Sequence, residues 1–256
     1  MLIVEKVSKA YQSGLLARQR TLAVNEVSFS VADDEIFGLV GESGCGKTTI
    51  GKMIVRLERP TSGTIRVGDT EVTSLEGRKL RAHWSRLQMI FQDPRSSLNP
   101  RMRVGESLVE GLKLAGQTQN LQQAAKDLAD QVSVRAEILK RYPHEVSGGE
   151  IQRIVIARAL SLNPSVLVAD EPTSNLDMSV QAQVLHLLKE VQQRLRIPCV
   201  LISHDIHVVR KMCQRIAILH KGEIVETGDA QSIISQPQHP YTQALMQADI
   251  DPGHTL

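Results

Sequence analysis

Residues 41–49 read GESGCGKTT, and the spacing G-x-x-x-x-G-K-[ST] puts Gly41, Gly46, Lys47 and Thr48 in the fixed positions of a phosphate-binding loop. Glycines are needed there because the backbone must curl until successive N–H groups point inward, where a Cβ would obstruct the turn or the phosphates. Lys47 brings a compact positive charge, and the Thr48 hydroxyl can complete a Mg²⁺ shell. The flanks agree: residues 35–40 (EIFGLV) read as a buried strand and residues 48–57 (TTIGKMIVRL) as a helix whose N-terminus faces the anion. Gly41, Ser43, Gly44, Cys45, Gly46, Lys47, Thr48 and Thr49 are therefore the expected phosphate contacts.

A chain of 256 residues can bury a sizeable core, so neither disulfides nor a structural metal is required. Its three cysteines, Cys45, Cys199 and Cys213, show no C-x-x-C spacing. Thirty basic against 28 acidic residues leave a charge of +2, which gives no electrostatic case for nucleic acid. No apolar run reaches the roughly 18 residues of a membrane helix, and the first residues lack a signal-peptide pattern, so a cytosolic protein is expected.

Residues 2–7 and 22–31 are strand-like, joined by a basic surface turn, SGLLARQRT. Tyr11 is placed at the end of the first strand, where a flat ring could stack on a nucleotide base. Residues 64–67 resume a strand after a Pro/Gly break, and residues 87–91 form another that ends in Gln92. Residues 94–153 carry helical periodicity and read as an insertion in an α/β core. Four apolar runs share one property: each stops at a polar group, namely the phosphate loop, Gln92, Asp170-Glu171 and Ser203-His204. In an open parallel sheet the carboxyl ends of the strands lie together, so these termini should build one site. Asp170 would then direct Mg²⁺, Glu171 would deprotonate an attacking water, Gln92 would offer an amide oxygen and His204 would donate to a phosphate. Ser147-Gly148-Gly149-Glu150 opens a further helix with a capping box, a second N-terminus suited to an anion. Cys45, at a helix start beside Lys47, could have a lowered thiol pKa, though the plainer reading, a small residue whose side chain points away from the phosphates, is favoured.

VSGGEIQ (146–152) resembles the signature motif of the ATP-binding cassette (ABC) ATPases, followed at the usual distance by Asp170-Glu171-Pro172. Ser174-Asn175-Leu176-Asp177 is similar to that family's D-loop and His204 to its switch histidine. The resemblance implies an α/β fold: a phosphate-loop core with a mostly parallel sheet and an N-terminal antiparallel β part (residues 1–93 and 154–228), an inserted helical subdomain (94–153) and a helical tail (229–256). It also implies a head-to-tail pair of cassettes in which Ser147, Gly148 and Gly149 clasp ATP held by the partner's loop. Tyr11 would stack on adenine, Lys47 hold phosphate, Thr48, Gln92 and Asp170 serve Mg²⁺, Glu171 act as base and His204 sense the γ-phosphate.

FQDPRSSLNPR (91–101) and HPYTQAL (239–245) resemble the ATPases of peptide and nickel importers. Those partner with two membrane permeases and, indirectly, an extracytoplasmic solute-binding protein. Such subunits sit at the cytoplasmic face of the membrane, and their coupling to the permeases would run through residues 92–101. The absence of cysteines after Cys213, with Gly44-Cys45-Gly46, Asn175 and Cys213-Gln214-Arg215, resembles the shorter nickel or metal-chelate members, without an iron-sulfur cluster. A soluble cassette of a phosphonate-degradation complex has similar motifs, including this tail, and is the alternative reading. A nucleotide-binding module without turnover is disfavoured by the joint presence of Glu171 and His204.

Overall fold

A computed structural model describes residues 1–13, 19–174 and 176–250. Asn175 and most of the expected 13–21 turn lie outside the described residues. In chain order, β1 (Leu2–Ser13), β2 (Gln19–Val31) and β3 (Ile36–Val40) lead through the phosphate loop into α1 (Lys47–Ile54). β4 (Ser62–Val67), β5 (Thr70–Glu71), α2 (Gly77–Trp84) and β6 (Leu87–Ile90) follow. Next come the helices α3 (Val104–Leu114), α4 (Leu121–Gln131) and α5 (Gly148–Ser161). β7 (Val166–Asp170), α6 (Met178–Leu195), β8 (Cys199–Ser203), α7 (Ile206–Met212), β9 (Arg215–His220) and β10 (Glu223–Asp229) complete the sheets, and α8 (Ala230–Ser235) and α9 (Pro240–Ile250) form the tail.

The strands make two sheets, a four-stranded one ordered β2-β1-β4-β5 and a six-stranded one ordered β10-β9-β3-β8-β7-β6. The smaller is antiparallel; in the larger every pairing is parallel except β10 with β9. Every residue of β3, β7 and β8 is buried, as expected of parallel strands covered on both faces. Their side chains alternate between two cores. Phe37, Leu39, Val166, Val168, Val200 and Ile202 face α1 and the antiparallel sheet. Ile36, Val40, Leu167, Ala169, Cys199 and Leu201 face the helices on the other side. This period of two explains why the strands read as unbroken apolar runs in the sequence.

The same register aligns the strand ends. Val40 pairs with Ser203, Ile202 with Asp170, and Ala169 with Ile90, so the loop, Gln92, Glu171 and His204 all leave the sheet at one edge. Tyr11 is not at a strand end: β1 runs on to Ser13 and Tyr11 lies opposite Thr21, because hairpin pairing continues past the apolar residues that marked the strand in sequence. No helix among the described residues is long and apolar enough to cross a membrane.

Candidate active site

The phosphate loop is shaped by its glycines and braced by its neighbours. Gly41 has φ 153°, and a Cβ there would lie 2.2 Å from the Leu219 carbonyl oxygen. Gly46, the N-cap of α1, has φ 111°, and a Cβ on it would come within 2.5 Å of the Ala23 carbonyl oxygen. Only glycine fits two such positions. The Gly222 amide donates to the Cys45 carbonyl at 3.0 Å and the Asn25 amide to the Gly222 carbonyl at 2.8 Å, so the β9–β10 turn and β2 support the loop together.

Lys47 is 5% exposed, and its ammonium donates to the carbonyls of Gly41 (2.6 Å) and Glu42 (2.8 Å). The charge is thus held over the mouth of α1, whose N-terminus has no side-chain cap. Unfilled amide donors beside a fixed cation make an anion site. Beneath it, the Thr48 hydroxyl donates to Asp170 Oδ1 at 3.2 Å. Asp170 is 4% exposed; burial raises its carboxyl above the usual range, the Thr48 hydroxyl pulls it down and the Glu171 charge pushes it up again. A buried carboxylate beside a hydroxyl is a hard-oxygen donor pair of the kind Mg²⁺ prefers.

Glu171 joins the remaining strand-end groups. Gln92 Nε2 donates to its Oε2 at 2.9 Å, and His204 Nδ1 lies 2.9 Å from its Oε1. The backbone of Glu171 has φ 46°, a left-handed conformation costing a non-glycine residue roughly 1–2 kcal/mol. Its N–H donates to the Ile202 carbonyl at 2.9 Å, which holds that conformation and sets the carboxylate between Gln92 and His204. A carboxylate gripped on both oxygens is aimed, and its remaining lone pairs can accept a proton from water.

Other expected residues stand apart from this cluster. Among the described contacts, Tyr11 meets Lys9, whose Nζ is 5.0 Å from the ring centroid, and Ser43 and Gly44 are exposed at the loop tip. Ser147 caps α5: its hydroxyl accepts the Glu150 N–H and donates to Glu150 Oε2 at 2.6 Å, while Glu150 Oε2 also accepts the Ser147 N–H at 3.3 Å. Gly148 and Gly149 pack toward Leu176 and Val180, where a Cβ on Gly149 would meet Val180 Cγ1 at 2.4 Å. Cys45 lacks the acidic thiol that a helix start beside Lys47 could have given. Burial raises its pKa, outweighing Lys47, whose Nζ is 3.8 Å from the sulfur.

Two contributors escaped the sequence reading. Arg95, three residues after Gln92, donates to the carbonyls of Pro143 (2.5 Å) and Val146 (2.8 Å), tying the Gln92 segment to the start of the Ser147 helix. Tyr241, in the tail, accepts the N–H of Glu42 in the phosphate loop at 3.3 Å. Both contacts join segments far apart in sequence, and no local pattern announces them.

A family profile described as ABC transporter matches residues 24–174, and one described as oligopeptide/dipeptide transporter, C-terminal region, matches residues 225–255. A Brucella ovis protein named a peptide import ATP-binding protein is 47% identical over 252 residues, which are 97% of this chain and 78% of the relative. A Sinorhizobium fredii protein named a peptide ABC transporter ATP-binding protein is 46% identical over 229 residues, covering 88% of this chain and 65% of the relative. The solved dimeric structure of a bacterial ABC transporter cassette aligns with a TM-score of 0.81 at 26% identity, over 90% of this chain and 99% of the cassette. A dimeric post-hydrolysis state of an ATP-binding cassette bound to ADP and Pi aligns with a TM-score of 0.80 at the same identity and coverage.

Proposed function

The chain belongs to the ABC transporter family, and on that premise we propose that it is the ATP-hydrolysing subunit of a peptide importer, peripheral at the cytoplasmic face of the membrane. The observation that carries the reading is the Gln92–Glu171–His204 cluster at the edge of the parallel sheet that also bears the Lys47 loop. The phosphates of ATP take the open N-terminus of α1, and Lys47 exchanges the Gly41 and Glu42 carbonyls for phosphate oxygens. Thr48, Asp170 and Gln92 would hold Mg²⁺, which when bound neutralises phosphate charge. Glu171 takes a proton from the attacking water, and His204 keeps the carboxylate aimed while reading the γ-phosphate. Tyr11 stacks on adenine. Ser147, Gly148 and Gly149 act on ATP held by a second cassette, a copy or a paralogue; the dimeric cassettes this chain resembles support that pairing.

The permease has a place to dock. A groove of about 500 Å³ opens beside Phe91 and Ser97, lined also by Leu57, Trp84, Leu114 and Arg158. Leu57, Trp84 and Leu114 are 54%, 42% and 68% exposed, an apolar concentration suited to a short amphipathic segment of the permease. Arg158 donates to the Ser97 carbonyl at 2.6 Å, so pressure in the groove reaches both the Gln92 segment and α5. Residues 94–153 would move as the lever of this coupling. Peptide is the favoured cargo because the relatives are named for peptide import and the tail matches a peptide-transporter region. Nickel or a metal chelate, expected from the shorter members, is the alternative.

One experiment tests the reading as a whole: purification of the tagged chain from its native membranes in mild detergent, as wild type and as Glu171→Gln. The expected result is two polytopic permeases in both preparations, retained ATP binding in the variant, and hydrolysis lowered by on the order of 10² or more. The binding protein encoded with those permeases then discriminates peptides from nickel by titration with each. Undiminished hydrolysis would remove Glu171 from its role, and recovery only with soluble enzymes would move the ATPase out of transport.

A further inference from the structure

The tail helix α9 reaches back to the phosphate loop, and the groups that seat it are specific. Glu226, on β10, accepts the N–H groups of Gln238 and His239 at 3.0 Å each, closing the N-terminus of α9. The Tyr241 N–H donates to His239 Nδ1 at 3.2 Å, one residue pair further along. The Tyr241 ring then packs on His220, at the end of β9, with centroids 3.9 Å apart and planes 37° from parallel. Its hydroxyl arrives at the Glu42 N–H, 3.3 Å away and 199 residues distant in sequence.

Glu42 is the residue whose carbonyl, with that of Gly41, holds the Lys47 ammonium. Tyr241 therefore grips, through the Glu42 amide, the same stretch of backbone that aims the phosphate-binding cation. The loop is held a second time by the Gly222–Cys45 bond from the turn that follows His220. Both braces converge on the end of β9.

We propose that Tyr241 is a positioning residue for nucleotide binding: the tail acts as a latch that holds the entry limb of the phosphate loop in its binding shape. Without the latch the loop must be ordered at the moment ATP binds, and that cost appears in affinity. The chemical step, governed by Glu171 just beyond β7, is left alone. The inference rests on the nucleotide reading proposed above.

The test is Tyr241→Phe in the intact chain, which deletes the acceptor and keeps the ring on His220. Steady-state hydrolysis of MgATP should show KM raised about fivefold, the scale of one lost neutral hydrogen bond, with kcat within about twofold of wild type. A thermal unfolding midpoint recorded on the same preparations separates the latch from a purely structural contact, which would move the midpoint and leave KM unchanged. Should Tyr241→Phe fail to fold, His220→Gln removes the stacking partner while leaving the hydroxyl, and the same rise in KM is expected. A KM equal to wild type in the folded variant overturns the latch. A wild-type chain that neither binds nor hydrolyses MgATP would instead overturn the nucleotide reading, and the latch with it.

Discussion

Two helices in this chain present their N-termini as candidate anion sites, and they are finished in opposite ways. α1 begins at Gly46, in a left-handed conformation and with no side-chain cap, so its first amides are left to whatever the loop binds. α5 begins at Ser147, whose hydroxyl accepts the Glu150 amide while the Glu150 carboxylate accepts the Ser147 amide. The first end is incomplete without a ligand; the second is satisfied alone. An incomplete end must be held open by the rest of the fold, which is why β2, the β9–β10 turn and Tyr241 all press on the loop. A complete end needs no such bracing, because its amides are already satisfied within one helical turn.

The largest effect should follow from closing the open end. In Gly46→Ala the new Cβ would lie 2.5 Å from the Ala23 carbonyl oxygen at a backbone φ of 111°. Relief requires moving the loop off β2, with an expected loss of about 2–3 kcal/mol in stability and loss of measurable ATP binding. Denaturant unfolding and MgATP titration of the same variant check both. An alanine variant that binds ATP normally would mean that the glycine is not what keeps this helix end available.

The capped end should respond differently. Ser147→Ala removes the cap at a cost of about 1 kcal/mol, and ATP binding to the variant's own loop should be unchanged. If the serine also clasps ATP across the dimer, hydrolysis by the assembled pair falls by tenfold or more, a loss that Ser147→Thr, which can still cap, repairs in part. Turnover equal to wild type at saturating ATP would reduce α5 to a well-capped helix and erase the functional half of the comparison.

How much of this could be read in the sequence depends on how local the cause is. The four strand ends were legible because a buried parallel strand must be an apolar run, and the first polar residue after it marks the edge of the sheet. The Ser147–Glu150 box was legible because all its atoms belong to one helical turn. Tyr11 was placed at a strand end because its neighbours are polar, yet β2 pairs with β1 beyond them. Cys45 could not be decided locally for a related reason: Lys47 is near in sequence and lowers a thiol pKa, whereas the burial that raises it comes from the three-dimensional packing. Arg95 and Tyr241 reach backbone groups 48 and 199 residues away, and an arginine or tyrosine carries no mark of such a partner.

The smallest expected effect concerns a third helix end, that of α9, which is closed partly by its neighbour His239, whose Nδ1 accepts the Tyr241 N–H, and partly from a distance by Glu226 on β10. Partial burial pushes the Glu226 carboxyl up, but the Gln238 and His239 amides that it accepts help to pull it below its ordinary value of 4.5. A carboxylate held below its unfolded value stabilises the fold at all pH above that value, and the stabilisation is lost as pH falls through the folded one. Glu226→Gln should therefore cost about 0.5–1 kcal/mol at neutral pH, the scale of a solvent-screened charge at a helix N-terminus. The gap to wild type should stay constant upward from neutral and shrink below pH 4.5. Chemical denaturation of both chains across that window measures it. A gap that persists undiminished in acid would show that Glu226 acts by shape alone, and that the tail is seated by the packing of Tyr241 on His220 rather than by the charge behind it.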